Sequence, residues 1–244
     1  MKRLTKAILL DVDEMTSYLT ELGRLSDAPD IVLYEDSTKA PSVSALIQAT
    51  IAVNRCFIKS LSLNESLLNK MLLRLQIQNV AFMYAELKHP LKVVNPIFTK
   101  GKSFNQLGLS SLTSFITELE SDFAGLKGLW NECCGYVHPS DSSLQLASAE
   151  HSLRLLSEVD ESKQKPEILE QLKAFIFLTT EAQKESAKKD SKDMFHLNLL
   201  LIKLVQQYIA LQKAEIEKDS KQLRFYKKVL KDNIRMITLN TNNK

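Results

Sequence analysis

The residue whose type and setting are best suited to chemistry is His138, which stands between Gly135 and Pro139 near the middle of the chain. An imidazole titrates near neutral pH, and polar groups beside a helix end can hold it in one tautomer, as a general acid or base requires. Ser140 and Asp141 follow as such polar groups. A lone histidine before a proline is also a common capping or packing residue, so a catalytic and a structural role both stay open.

Polar and aromatic side chains precede this histidine on the same segment. Asn131 and Glu132 lie about two helical turns before it, where they can orient the imidazole or a substrate, or form a polar helix surface. Tyr136 can stack on a nucleic-acid base or pack in the interior. Together with His138, these three residues form the candidate catalytic set.

Other kinds of catalytic site find little support in the sequence. Cys133 and Cys134, taken with His138 as three possible zinc ligands, fall outside the usual Cys-x2–4-Cys spacing, and no fourth ligand is evident. The chain has no glycine-rich phosphate loop and no Gly-x-Ser-x-Gly elbow, which argues against a P-loop ATPase and an α/β-hydrolase. We expect no metal and no cofactor.

Composition favours an intracellular protein. Three cysteines supply no disulfide framework, which fits a reducing compartment. The apolar run Ala7–Leu10 stops at Asp11, too early for the core of a signal peptide, and we expect no later run long and uncharged enough to span a bilayer. The net charge of +3 indicates no particular partner. We therefore expect a cytoplasmic protein with no membrane partner.

The elements that must position the His138 segment are predicted to be helices. Apolar residues recur at intervals of three and four along most of the chain, and six glycines and six prolines leave few turns. The predicted fold is all-α, an up-and-down-like bundle of about seven to eight helices with at most one β-like strand. Helices are predicted over about 3–24, 42–61, 64–89, 109–135, from 141, from 166 and over 220–238, with a strand at 31–34, a loop at 92–108 and a linker at 158–165.

The chain is interpreted as a single helical domain. That domain covers residues 1–238 and is followed by a polar tail at 239–244. A division into 1–158, which holds the His138 segment, and 166–238, which holds the C-terminal helices, is the alternative interpretation.

A helix late in the chain is predicted to be central in the bundle. From Met194 to Leu211 the apolar residues step alternately by three and four, which is the spacing of a bundle seam. Apolar residues on its other faces predict that this helix is nearly all buried. The polar run over 181–193 either extends the preceding helix or contains a turn.

The run Leu129–Ser140, LWNECCGYVHPS, resembles a Leu-Cys-x-Tyr-Val-His-Pro/Phe-Ser segment of bacterial helical proteins, which in turn resemble the HEPN superfamily of nucleotide-binding helical bundles. Many HEPN members are metal-independent ribonucleases of toxin–antitoxin and phage-defence systems. In their Arg-x4–6-His motif, the histidine helps to activate the ribose 2′-hydroxyl and the arginine stabilises phosphate charge, usually across a dimer interface. The resemblance implies an HEPN-like core, an RNA partner, a homodimer and an acid–base role for His138.

The chain departs from the HEPN motif at the arginine. The corresponding position falls on Asn131 or Glu132, and phosphate recognition favours a planar, bidentate cation. Arg74 or Lys127 would have to supply the positive charge from elsewhere in the fold. Arg74 is the better candidate because the third predicted helix can pack against the fourth, although both cations also suit a solvated helix surface.

The predicted last helix carries a second feature that suits RNA. Its basic residues recur by three and four and so form one stripe, with aromatic residues between them. Such a stripe can follow a phosphate backbone and would make binding dependent on salt, but it also suits a solvated helix face. The stripe consists of Lys221, Arg224, Lys228, Lys231 and Arg235.

Two functions are therefore carried forward. The first is an HEPN-like RNA-binding protein or metal-independent endoribonuclease of a toxin or phage-defence type. The second is a non-catalytic helical interaction module, such as an antitoxin, sensor or scaffold subunit that binds a partner protein, in which the His138–Pro139 pair only shapes a helix end. The missing arginine favours the second function, and the sequence leaves open whether the protein is an enzyme.

Overall fold

A computed structural model describes residues 16–25, 42–63, 65–90, 92–121, 123–137, 141–157, 159 and 165–216. Helices make up 87% of this part of the chain, and it contains no strand. The prediction of an all-α bundle is confirmed. The predicted strand at 31–34, the predicted helix at 220–238 with its basic stripe, and His138 itself lie outside the described residues.

The described helices are numbered in chain order. Several predicted boundaries are close to those observed, including the second helix, the stop near His89–Pro90 and the start at Pro166. The polar run 181–193 extends its helix without a turn. The helices are α1 (residues 16–25), α2 (Ser42–Leu63), α3 (Ser66–Lys88), α4 (Val94–Lys100), α5 (Leu112–Leu119), α6 (Leu126–Val137), α7 (Asp141–Ser157) and α8 (Pro166–Ile216).

Helix α3 is the element that the others surround. It packs against α2, α4, α5, α6, α7 and α8, most extensively against α8. Every side chain from Asn79 to Leu87 is buried. The second half of α8, predicted to be the central helix, is buried along the side that faces α3. Sequence patterning concealed the position of α3 because its buried face includes polar residues such as Gln76 and Glu86.

Hydrogen bonds between buried polar side chains fix the directions of the three longest helices. Gln76 Nε2 of α3 donates to Asn198 Oδ1 of α8 (2.9 Å), and Asn198 Nδ2 donates to Asn54 Oδ1 of α2 (2.6 Å). Asn79 Nδ2 donates to Thr50 Oγ1 (3.2 Å). Since a buried amide without a partner costs about 1–3 kcal/mol, this network specifies how the helices align. Helix α2 runs antiparallel to α3, and α3 runs parallel to α8.

The predicted loop over 92–108 was wrong, because it contains α4 and a 3₁₀ turn at Asn105–Leu107. The buried carboxylate of Glu86 accepts hydrogen bonds from the backbone N–H groups of Val93 (3.0 Å) and Val94 (2.8 Å). These are donors that the first turn of a helix leaves without intrahelical partners. Pro96 lies in that first turn, where proline is tolerated. The cap comes from a different helix, so local sequence did not indicate it.

The single helix predicted over 109–135 was also wrong, because the region forms α5 and α6. Between them, Gly125 adopts a φ of 92°, which glycine accommodates readily. The Glu120 carboxylate accepts from the N–H groups of Gly125 (2.7 Å) and Lys127 (2.5 Å) and so caps the start of α6. At its other end α6 continues through Gly135 to Val137, so it ends within the segment 135–139 in which its end was predicted.

The start of α8 extends beyond the bundle. No residue from 166 to 186 is buried, whereas buried residues recur from Ala187 to Leu211. Because Lys70, near the start of α3, contacts Asp190 of the parallel helix α8, residues 166–186 reach about 30 Å past the start of α3 at 1.5 Å per residue. Helix α7 packs against both α3 and α8. We call α7 together with residues 166–186 the hairpin.

One helical segment among the described residues, Pro166–Leu211, is long and apolar enough to cross a membrane by length and composition. The expectation that no run meets this criterion was therefore wrong. In its most apolar window, 56% of the residues are buried inside the protein. That burial accords with a helix that packs against α3, and the cytoplasmic location stays a prediction.

Candidate functional site

The last two turns of α6 meet α3 and α8 at a group of charged side chains. Lys70 Nζ of α3 donates to Glu132 Oε1 of α6 (2.7 Å) and to Asp190 Oδ1 of α8 (2.6 Å). Lys189 Nζ donates to Glu132 Oε2 (2.9 Å). Asp193 follows Asp190 by one turn on α8. We call these five residues the ion-pair cluster, and it ties three helices together.

The cluster is buried at one end and exposed at the other. The side chain of Lys70 is 4% exposed and that of Asp190 is 0% exposed, whereas Lys189 is 57% exposed. Burial alone would lower the pKa of Lys70, but the charge of Asp190 and the hydrogen bonds to Asp190 and Glu132 outweigh burial and raise it. Lys70 is therefore an ammonium at every physiological pH and cannot serve as a base.

The carboxylates of the cluster respond to their surroundings in different ways. Burial would raise the pKa of Glu132, but hydrogen bonds from Lys70 and Lys189 lower it overall. Burial raises the pKa of Asp193 to about 6, with the charge of Lys189 opposing the rise and that of Asp190 adding to it. Burial also raises the pKa of Asp190, against the effect of Lys70. Glu132 is thus ionised and held by two ammonium groups, an unfavourable state for a general base.

The other predicted site residues are distributed along α6 and α3. Tyr136 is half-buried, and Lys70 Nζ lies 5.8 Å from the centre of its ring. The guanidinium of Arg74 lies 5.0 Å from the ring centre of Trp130, a cation–π contact. Asn131 and Lys127 are exposed. The structure therefore brings Glu132 and Tyr136 together at Lys70, while Arg74 contacts α6 near its middle.

Sequence reasoning missed Lys70, the buried cation of this cluster. Lys70 lies on the apolar face of α3, because it precedes Leu73 by three residues and Ile77 by seven. Asp190 likewise precedes Met194 and Leu197 on the seam of α8. A charged residue on an apolar face requires a partner when it is buried. Each position therefore carried a signal, but the signal did not identify the partner.

The thiol of Cys133 is unsuited to nucleophilic chemistry. Cys133 is buried, and burial raises its pKa to about 12 although the charge of Lys70 opposes the rise. Thiolate, rather than thiol, is the reactive form. Across the described ranges, no group of three or more His, Cys, Asp or Glu side chains is arranged to hold a metal ion.

The charge of the cluster determines what it can bind. Three carboxylates face two ammonium groups, so at pH 7 the cluster offers no excess positive charge to a phosphate. Asp190 Oδ2 is buried without a hydrogen-bond partner, as is Arg74 Nε. The arrangement suits a junction that fixes how α3, α6 and α8 pack.

Comparison of the chain with protein-family models, with curated proteins and with solved structures found no match. The HEPN-like core and the roles that the resemblance implies for His138, Asn131, Glu132 and Tyr136 stay predictions.

Proposed function

We propose that the protein is a non-catalytic helical interaction module whose docking surface lies on the hairpin. The observation that carries this proposal is the exposure of large apolar side chains on the first half of α8. Phe177 is 65% exposed and Leu178 is 67% exposed, and Phe175 and Ile168 are also exposed. Exposed apolar patches on soluble domains commonly mark surfaces that bind a partner.

The composition of this surface supports the proposal. Aromatic residues are enriched at the buried centres of protein interfaces, and charged residues are depleted there. Ala174–Leu178 is an unbroken apolar run on the projecting part of α8. Leu144 and Leu155 of α7 add further exposed leucines to the hairpin. When a partner covers these side chains, the free energy of the system falls by about 25 cal/mol for each Å² of apolar surface removed from water.

The ion-pair cluster supports the same proposal by its charge. The resemblance to HEPN ribonucleases calls for a cation able to share a phosphate with His138. Lys70 is buried and bound by two carboxylates, and Arg74 contacts Trp130. A cation held in this way stabilises the bundle more readily than it binds an incoming phosphate.

The proposal is tested by removing the apolar surface without disturbing the bundle. Phe177→Ser with Leu178→Gln changes two exposed side chains, and Leu63→Gln, an exposed leucine of α2, is the matched control. Tagged wild-type protein and both variants would be purified in parallel from the native host and compared by quantitative mass spectrometry. We expect the double variant to melt like the wild type and to lose at least one associated protein that the control retains. Identical sets of associated proteins would contradict the proposal.

We propose an HEPN-like RNA-binding or RNA-cleaving function as the second candidate, on a different observation. Two ammonium groups, those of Lys70 and Lys189, lie within 2.9 Å of Glu132 near the end of α6. The chain leads from there directly to His138. In this proposal Lys189, the exposed member of the pair, contacts the phosphate while His138 acts on the 2′-hydroxyl.

The second candidate is tested with RNA. Purified protein would be incubated with total RNA and with tRNA, beside His138→Ala and the control His151→Ala, which changes an exposed histidine of α7. We expect the His138 variant to lose cleavage and the control to retain it. Cleavage that survives His138→Ala, or no cleavage by any of the three proteins, would contradict the enzymatic form of this proposal.

A further inference from the structure

We propose that the exposed side of α3, together with the adjoining edge of α6, binds an acidic amphipathic segment of a partner protein. This surface is separate from the hairpin, so the proposal goes beyond the interaction function proposed above. We call it the α3–α6 surface, and it consists of Met71, Arg74 and Leu75 of α3 with Lys127 and Trp130 of α6.

The first half of α3 has one side that stays exposed, although α3 is the helix that the others surround. Met71 is 39% exposed and Leu75 is 42% exposed. The two residues are four apart, so they lie one turn from each other on the same side of the helix. Together they form an apolar strip on the surface of the bundle, of the kind that a binding partner can cover.

Helix α6 runs antiparallel to α3 and forms one edge of this strip. Arg74 contacts Trp130, whereas Lys70, one turn earlier on α3, contacts Glu132, which comes later on α6. Lys127 is exposed and precedes Trp130 by three residues, which places it on the same side of α6, beyond Arg74 toward the end of α3. A guanidinium and an ammonium group therefore follow one another along this edge.

The cations of the α3–α6 surface have no carboxylate partner among the residues that the structure describes. Helix α2 contains no Asp or Glu, α3 contains only Glu86, and α6 contains only Glu132. Glu86 is buried and caps α4, and Glu132 pairs with two lysines. Within the described ranges, Arg74 and Lys127 form no ion pair. Electrostatic complementarity therefore calls for negative charge on the segment that covers this surface.

The guanidinium of Arg74 is held in a position that suits a carboxylate. Its Cζ atom lies 5.0 Å from the ring centre of Trp130, which occupies the face of the guanidinium and leaves the N–H groups at its edge. Its Nε is buried without a hydrogen-bond partner, an unfavourable state for a donor. A carboxylate that accepts from Nε and from a terminal nitrogen would satisfy this donor in the bidentate geometry that guanidinium favours.

A protein segment fits the chemistry of this surface better than RNA does. RNA binding depends on several cations that follow a phosphate backbone, whereas this surface has two cations beside two exposed apolar side chains. Trp, Arg and Met are enriched at protein interfaces. An amphipathic helix with leucines on one face and carboxylates beside them would match both the apolar strip and its basic edge.

The proposal is tested with fluorescein-labelled helical peptides and the full chain. The first peptide has leucines at intervals of three and four with glutamates between them. Two matched peptides carry lysines in place of the glutamates or serines in place of the leucines. We expect fluorescence anisotropy to detect binding of the first peptide alone, with an affinity that falls as sodium chloride is added. No binding of the first peptide, or equal binding of a matched peptide, would overturn the proposal.

Substitutions locate the bound peptide. Arg74→Gln should raise the dissociation constant by about tenfold, because it removes a bidentate partner. Lys127→Glu should raise it by about threefold, because that cation is exposed and screened, and this variant decides the matter if Arg74→Gln melts at a lower temperature. Lys192→Gln, which changes an exposed lysine of α8, and Phe177→Ser with Leu178→Gln should leave the constant unchanged. Binding that neither Arg74→Gln nor Lys127→Glu weakens would overturn the proposal.

RNA is the competing occupant of this surface. A single-stranded RNA oligonucleotide should fail to displace the first peptide from the wild-type chain. Displacement by RNA that requires Arg74 and Lys127 would overturn the proposal and assign the surface to nucleic acid. Loss of peptide binding in the Phe177 and Leu178 double variant would place the peptide on the hairpin, which would overturn this proposal and support the interaction function proposed above.

Discussion

The two halves of α8 share one helix and have opposite relations to solvent. From Ala187 to Leu211 the apolar residues are buried against α3, and polar residues among them, such as Asp190 and Asn198, find partners there. From 166 to 186 no residue is buried, and Phe177 and Leu178 are exposed. The difference arises because α3 begins at Ser66, close to the level of residue 187. Apolar spacing therefore indicated a helix in both halves, but neighbouring elements determined which half was buried.

The comparison gives the two halves different roles. In the buried half, an ion pair and a chain of amides specify how the helices align, and an error there would leave charges or amides without partners. In the projecting half, apolar side chains such as Phe177 and Leu178 are mostly exposed and add little to packing within the described part of the molecule. The buried half is therefore assigned to stability and the projecting half to association, and each assignment can be tested by substitution.

The largest effect on stability is expected at Lys70. Lys70→Ala leaves Asp190 buried without its cation, which should lower the free energy of unfolding by about 4 kcal/mol. Urea denaturation followed by circular dichroism measures this loss. Adding Asp190→Asn to a Lys70→Met background removes the buried charge and should recover about half of it. A Lys70→Ala variant as stable as the wild type would show that the cluster does not hold the bundle together.

The next largest effect contrasts leucines in the two halves. Leu201→Ala in the buried half should lower the free energy of unfolding by about 3 kcal/mol, because it creates a cavity. Leu178→Ala in the projecting half should change it by less than about 0.5 kcal/mol. Both would be measured by urea denaturation at protein concentrations where the chain is monomeric. Equal losses would mean that another part of the chain covers Leu178, and the division into two roles would fail.

A smaller effect is expected in the pH dependence of stability. Burial raises the pKa of Asp193 to about 6 from the ordinary value of 3.8, so the folded state binds this proton more tightly than the unfolded state does. The protonated Asp193 carboxyl therefore favours the folded state. This stabilisation is complete below pH 3.8 and is lost as the pH rises through 6, which lowers the free energy of unfolding by about 2 kcal/mol. Asp193→Asn should remove this part of the pH dependence and stabilise the protein at pH 7. Unfolding curves of both proteins between pH 4 and pH 7.5 measure the difference, and parallel profiles would contradict the assignment.

A structural feature could be predicted from the sequence when the residues that cause it are close to it in the chain. The end of α3 near Pro90 and the start of α8 at Pro166 were predictable, since proline acts on its own neighbours. Helix α4 was not predictable, because Glu86 caps it from another helix. Lys70 and Asp190 are 120 residues apart, and no periodicity relates them. In the candidate site, Glu132 and Tyr136 were predicted to be catalytic, which stays a prediction, and Lys70, the cation that approaches both, was missed.

The smallest effect is expected at the exposed edge of the ion-pair cluster. Lys189 donates to Glu132 at 2.9 Å but is more than half exposed, so water and salt screen the pair. Lys189→Ala should lower the free energy of unfolding by about 0.5 kcal/mol at low salt and by less at high salt, whereas Lys192→Ala nearby should have no salt-dependent effect. Urea denaturation at low and high sodium chloride concentrations measures both. A loss of stability as large as that of Lys70→Ala would mean that the exposed Lys189–Glu132 pair contributes as much as the buried Lys70–Asp190 pair. Burial along α8 would then not determine which residues stabilise the bundle.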